Sequence, residues 1–327
     1  MAQIDLRTVM TTLSGPRHDG TGNNAPSAAE PEAIAHETAE RAARAWHRER
    51  AGEDLAVPVG VIATLAQFSR PADGPDTAEQ LRALDPVDLW RALERVWALR
   101  WVERPELATW AAPLHRWLTS PPSPAAGDAV AAVAHAALDA GLLDLTGAED
   151  AQVRRSADVL GPTLARVRSA GAREALAEVH SPPDVADLLL RLVLLDESPS
   201  PGASLGEPTA GTGGLVRALA SHLASTGHDV HRFNWSMNEI DPVAAASCAS
   251  NALTWDLGPD VLIFCGDTLT NSDGPEQARR ARADIFAHHA ELEEQARSEA
   301  LTRRAASLLS PPDDATSPVN EAGTRGD

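Results

Sequence analysis

The chain has 327 residues, with 47 acidic against 28 basic side chains and a formal net charge of −19. That surplus keeps a chain soluble and repels nucleic acid on average, which counts against DNA contact by the isolated protein except through a local arginine patch. Apolar residues make up 43% of the chain, enough for a sizeable core, while two cysteines without metal-ligand spacing exclude a disulfide scaffold and a structural zinc site.

Residues 1–28 are polar, with Gly20-Thr21-Gly22-Asn23-Asn24-Ala25-Pro26, and read as a disordered arm. No long apolar stretch begins the chain and no segment reaches membrane-spanning length, so the expectation is a cytoplasmic protein. From Ala29 the pattern is helical. Asp85-Pro86 predicts a capped helix start, and Leu89, Trp90, Leu93, Val96 and Trp97 recur at helical spacing as a buried face. Pro105 predicts a further helix carrying Trp110, Leu114 and Trp117. Tryptophans at that spacing point to core packing rather than to base-stacking platforms. Thr119 to Gly127 reads as a linker loop. Arg41, Arg44, Arg48 and Arg50, and later Arg154, Arg155, Arg166, Arg168 and Arg173, have acids interspersed and read as solvated mixed-charge faces. Residues 29–179 are expected to form an all-helical domain.

From residue 180 the period changes. Ser204-Leu205-Gly206-Glu207 is a short strand ending in an acid, followed by the turn Pro208-Thr209-Ala210-Gly211-Thr212-Gly213-Gly214 and a helix from Leu215. Glycine suits such a turn because it tolerates positive φ and lets a ligand approach the backbone. Val230 to Glu239 reads as a second strand, Ile240-Asp241-Pro242 opens an Ala-rich helix reaching about Asn251, and Asp260 to Cys265 reads as a buried parallel strand followed by Asp267. Glu207, Glu239 and Asp267 therefore stand at three successive strand ends, where an open parallel sheet places its ligand crevice. Each alone has a plain structural reading, as a turn cap or a strand-end turn residue. Cys248, in the helix, and Cys265, in the strand, are expected to be buried, inert thiols. His288-His289 diverge on a helix and do not make a metal pair.

These residues resemble the S-adenosylmethionine-binding half of N6-adenine DNA methyltransferases, especially the modification subunits of type I restriction systems. The likeness rests on Glu207 to Gly214, on Asn238-Glu239-Ile240-Asp241-Pro242 with Asn251, and on Gly266-Asp267-Thr268-Leu269. A helix over His180-Ser181-Pro182-Pro183-Asp184-Val185-Ala186-Asp187-Leu188-Leu189 precedes them. The resemblance implies an α/β chain: an all-helical N-terminal domain, then a shortened Rossmann-like methyltransferase domain over 180–274. It implies a cofactor site built from Glu207, Pro208, Ala210, Gly211, Thr212, Gly213, Gly214, Glu239, Ile240, Asp267, Thr268 and Leu269. Glu239 would take the ribose hydroxyls, Asp267 the adenine amine, and the glycine turn the methionine portion. A nicotinamide dinucleotide competes less well, because the glycines are crowded differently and the acid comes later.

The family pattern continues into a fourth strand ending in Asn-Pro-Pro-aromatic, which polarises the target amine and stacks on the flipped base. No such tetrapeptide occurs in these 327 residues. Pro275 instead opens a long helix rich in Ala, Arg and Glu, read over 275–309, and 310–327 reads as a disordered tail. Ser-Pro-Pro occurs at Ser120, Ser181 and Ser310, followed by Ser123, Asp184 and Asp313, none of which can stack on a base. The implied function is S-adenosylmethionine binding, with methyl transfer to DNA adenine where another chain supplies the missing groups and the DNA contact, or with a substrate other than duplex DNA. The alternative is a non-catalytic methyltransferase-like partner. The C-terminal helix is the candidate protein-binding element, and neither a metal nor a membrane is expected.

Overall fold

The structure, a computed structural model, describes residues 29–49, 54–168, 185–186, 199–271 and 273–309, with backbone alone at 29 and 306–309. The expected arm, the boundary at 179–180, most of the helix over 180–189 and the expected tail lie outside the described residues. The chain divides into two compact units, Met1–Ile285 and Phe286–Asp327.

Among the described residues the first unit opens with the helices α1 (Ala29–Glu49), α2 (Ala56–Leu65), α3 (Thr77–Arg82), α4 (Pro86–Glu103), α5 (Pro105–Trp110), α6 (Pro124–Asp139), α7 (Leu142–Thr146), α8 (Ala151–Arg154) and α9 (Leu160–Val167). Asp85 starts α4 as expected, its carboxylate accepting from the amides of Val87 and Asp88 at 2.9 Å each. The tryptophans pack inside. Trp97 donates to Thr64 Oγ1 at 2.8 Å and stacks on His115, and Trp90 meets Trp117 edge-on at 4.8 Å. The helix expected from Pro105 ends at Trp110 and gives way to two tight turns, Ala112–Leu114 and Arg116–Thr119. Pro113 supplies no amide for the helical ladder there. The expected linker is shorter than read, because Ser123 Oγ accepts from Ala126 N at 3.2 Å and Pro124 occupies the first turn of α6.

Three strands follow, β1 (Ser204–Glu207), β2 (Asn234–Glu239) and β3 (Val261–Cys265), alternating with α10 (Gly214–Ser225) and α11 (Pro242–Thr254). They form a parallel sheet in the order β1-β2-β3, with Leu205 opposite Trp235 and Met237 opposite Ile263. The fold is thus mixed α/β, with a small parallel sheet beside many helices. β2 starts later than the sequence suggests. Asp229 accepts from His231 N at 3.1 Å and winds Val230–Arg232 into a turn, so the strand begins only at Asn234.

Trp235 and Met237 of β2 and Val261 and Ile263 of β3 are buried. α11 covers them and is buried nearly all round, its alanines letting β2, β3, α2, α5 and α9 pack closely against it. One hydrophobic cluster runs from Ala35 of α1 to Ile263 of β3, so helices and sheet share a core. α12 (Gly274–Leu309) begins in this unit, where Arg282 donates to Pro259 O at 2.7 Å. Residues 283–289 are helical, within the stretch after β3 where the family pattern would continue into its fourth strand. The described part of the second unit is the remainder of α12, exposed at nearly every position from 290 to 305.

Candidate functional site at the carboxyl ends of the strands

The turn between β1 and α10 is set by its glycines. Gly211 has φ +57° and Gly213 φ +99°, conformations that side chains resist. Gly213 also packs on Trp255, where an added Cβ would lie 2.9 Å from the ring. Gly211 and Gly214 differ: an added Cβ at either meets no described residue within 4 Å.

Hydrogen bonds fasten the turn to β2. Ala210 N donates to Asn238 O at 2.8 Å, and Gly211 N donates to Glu239 Oε2 at 2.7 Å. The other oxygen of Glu239 accepts from Asp241 N at 2.9 Å, so both carboxylate oxygens already hold a backbone amide. Glu207 accepts from the amide and hydroxyl of Thr209 at 3.0 and 3.1 Å. Asp267 lies two residues beyond the end of β3 and accepts from Leu269 N at 2.9 Å and Thr270 Oγ1 at 3.0 Å. Each of the three carboxylates is thus engaged with nearby backbone, and each keeps lone pairs beyond those bonds.

Asn238 ties the three strand ends together. Its amide donates to Pro208 O at 3.2 Å, to Gly266 O at 2.9 Å and to the hydroxyl of Thr268, which itself donates to Pro208 O at 2.7 Å. Its Oδ1 is buried and has no hydrogen-bond partner among the described residues, which is unusual for a polar atom in a folded protein. Ile240 and Leu269, which follow β2 and β3, are 59% and 96% exposed.

Beneath this rim the site is firmly built. Asp241 caps α11 through the amides of Val243 and Ala244, both at 3.2 Å, and pairs with Arg168 in a contact that is largely out of water. Cys248 is buried against Met237, and burial pushes its thiol well above the ordinary range, so it is inert. Cys265 is only partly buried, contrary to expectation; burial and then Asp241 and Glu239 raise its thiol too.

The arginine clusters separate into two kinds. Arg41 and Arg44 pair with Glu37 and Glu40 at 2.5 Å, and Arg166 reaches Glu40 at 3.3 Å, the mixed-charge face that was expected. Arg154 and Arg155 instead turn inward and donate to Thr254 O and Trp255 O at 2.7 and 2.8 Å, holding the carbonyl end of α11. Ser120 is exposed and precedes the helix cap Ser123, while Ser181 and Ser310 lie outside the described residues.

Among the described residues no helix is long and apolar enough to cross a membrane, and no group of His, Cys, Asp and Glu is arranged to hold a metal ion. Sequence reasoning missed Asp158, which bonds the glycine turn from the helical side at 2.6 Å across 54 residues of chain. No family model matches this chain, and no curated protein matches it.

Proposed function

We propose that the carboxyl end of the β1-β2-β3 sheet binds S-adenosylmethionine in the manner of the Rossmann-like N6-adenine DNA methyltransferases. The observation that carries the reading is a glycine turn hung from Glu239, with no described residue within 4 Å of where a Cβ would stand on Gly211 or Gly214. The residues present fit the cofactor's chemistry. Ribose hydroxyls, the adenine amine and the methionine ammonium are donors, and the sulfonium is a cation. The rim offers acceptors and negative charge: Glu207, Glu239 and Asp267. Exposed Ile240 and Leu269 supply apolar contact for a flat base.

When bound, the cofactor supplies an electrophilic methyl group. This chain's own residues bind and orient it. The polarisation of a target amine by an amide or carboxylate at a Pro-Pro-aromatic corner has no counterpart in these 327 residues. The reading is therefore a cofactor-binding chain, with methyl transfer to DNA adenine carried out together with a partner subunit. The net charge of −19 favours the same division of labour, since DNA contact would fall to the partner.

Calorimetric titration of the full chain with S-adenosylmethionine tests the reading. Saturable binding is expected. Glu239→Ala removes a carboxylate that already orders Gly211 and is expected to weaken binding by about 1.5–3 kcal/mol. No heat of binding at millimolar cofactor would reject the proposal.

A further inference from the structure

The glycine turn is gripped from behind by a residue of the helical part of the chain. Asp158 lies just ahead of α9 and divides its carboxylate between two tasks. Oδ1 accepts from Leu160 N at 3.0 Å and Gly161 N at 3.2 Å, which caps α9, and from Asn251 Nδ2 at 3.0 Å. Oδ2 accepts from Thr212 Oγ1 at 2.6 Å. Asn251 also donates to Thr212 O at 2.8 Å, so Thr212 is held through its hydroxyl by α9's cap and through its carbonyl by α11. Thr212 and Asn251 are 4% and 3% exposed, so water does not compete for these bonds. The fit is close: a Cβ on Gly161 would lie 2.5 Å from Asp158 Oδ2 and 2.9 Å from Thr212 Oγ1.

Thr212 sits between Gly211 and Gly213, the two positive-φ residues of the turn. A free Gly-Thr-Gly segment samples many conformations, and ordering it on binding would cost affinity. We infer that Asp158 is a positioning residue for the proposed cofactor site: by fixing Thr212 it holds Gly211 and Gly214 open to the ligand before the ligand arrives. The inference rests on the S-adenosylmethionine reading and extends it, because it makes the helical part of the chain a working component of the site. The plainer role, a cap for α9, uses Oδ1 alone and leaves the Oδ2 bond to Thr212 unexplained.

The two roles come apart in Thr212→Val, which removes the Oδ2 partner and leaves the cap intact. Calorimetry with S-adenosylmethionine and amide hydrogen exchange of the free protein are measured on the full chain. Thr212→Val is expected to weaken binding about tenfold or more and to speed exchange at Gly211 and Gly213, whereas Thr212→Ser, which keeps the hydroxyl, stays within about threefold of the parent. Should Thr212→Val not fold, Asp158→Ser decides, since its hydroxyl still caps α9 and leaves no second oxygen for Thr212: about threefold or greater weakening is expected. Parent-like affinity and exchange in Thr212→Val, parent-like affinity in Asp158→Ser, or equal weakening in Thr212→Val and Thr212→Ser would overturn the inference while leaving the cofactor reading standing. Absence of binding by the parent protein would reject the reading itself, and the inference with it.

Discussion

The two ends of the parallel sheet are built from similar residues and differ in what they leave open. Where β2 and β3 begin, Arg154 donates to Thr254 O, Ala148 O and Glu149 O at 2.7 Å each, and His231 Nε2 lies 3.0 Å from Asp256 Oδ1. Gly258 is pressed so close that a Cβ would stand 2.6 Å from His231 Cα. At the other end, where the strands finish, a Cβ on Gly211 or Gly214 would meet no described residue within 4 Å, and Ile240 and Leu269 are exposed. Arginines, acids and glycines at a sheet terminus do not by themselves make a site. Packing closes one end into a structural joint; the other end, among the described residues, carries no such packing.

The largest expected effect tests whether the open end has a rigid floor. Asp241→Ala would remove one carboxylate from the largely buried Arg168 and the cap from α11. Cap and ion pair together are expected to cost about 3 kcal/mol, to be read from urea unfolding. A loss below about 1 kcal/mol would mean that the pair behaves as an exposed one.

Next comes a direct contrast of glycines. Gly258→Val meets a positive φ of +90° and backbone at 2.6 Å, and is expected to lower stability by about 2–4 kcal/mol. Gly214→Ala meets no described neighbour at the first turn of α10 and is expected to stay within about 0.5 kcal/mol of the parent. Similar losses at the two positions would erase the distinction between the ends.

The smallest effect is a pH dependence confined to the closed end. The hydrogen bond from His231 holds the Asp256 carboxyl below its ordinary value, and Asp256 in turn raises the imidazole. A raised histidine contributes fully below its unfolded pKa and loses that contribution as pH rises through the folded value. A depressed aspartate contributes above its unfolded pKa and loses that as pH falls. The pair is therefore strongest between about pH 4 and pH 6.5 and fades above it. Both side chains are at least a third exposed, so the effect is under about 1 kcal/mol. The melting temperature of the parent is expected to fall toward that of His231→Gln between pH 6 and about pH 8.5. A constant gap between the two proteins would contradict the assignment.

Much of the frame was legible because its signals are local. The apolar run before Cys265, the Asp-Pro starts of α4 and α11 and the Ala-Arg-Glu stretch of α12 each announce their element within a few residues. Where a short-range side-chain bond outweighed the pattern, the reading slipped: Asp229 delayed β2, and Ser123 with Pro124 turned half of an expected linker into helix. The candidate site divides in the same way. The glycine turn and the acids at Glu207, Glu239 and Asp267 can be read from order and spacing. Asp158 cannot, because nothing near it announces a bond to Thr212. Nor can the pairing of Arg168 with Asp241, which joins residues 73 apart. That no described residue packs beside Gly211 and Gly214 is likewise something a residue string carries no mark of.

Amide hydrogen exchange of the full chain, with and without saturating S-adenosylmethionine, puts the difference between the two ends to the most direct test. Slowed exchange is expected at Gly211, Gly213 and Leu269, with His231 and Leu257 at the closed end unchanged. Equal slowing at both ends, or none anywhere at millimolar cofactor, would contradict it.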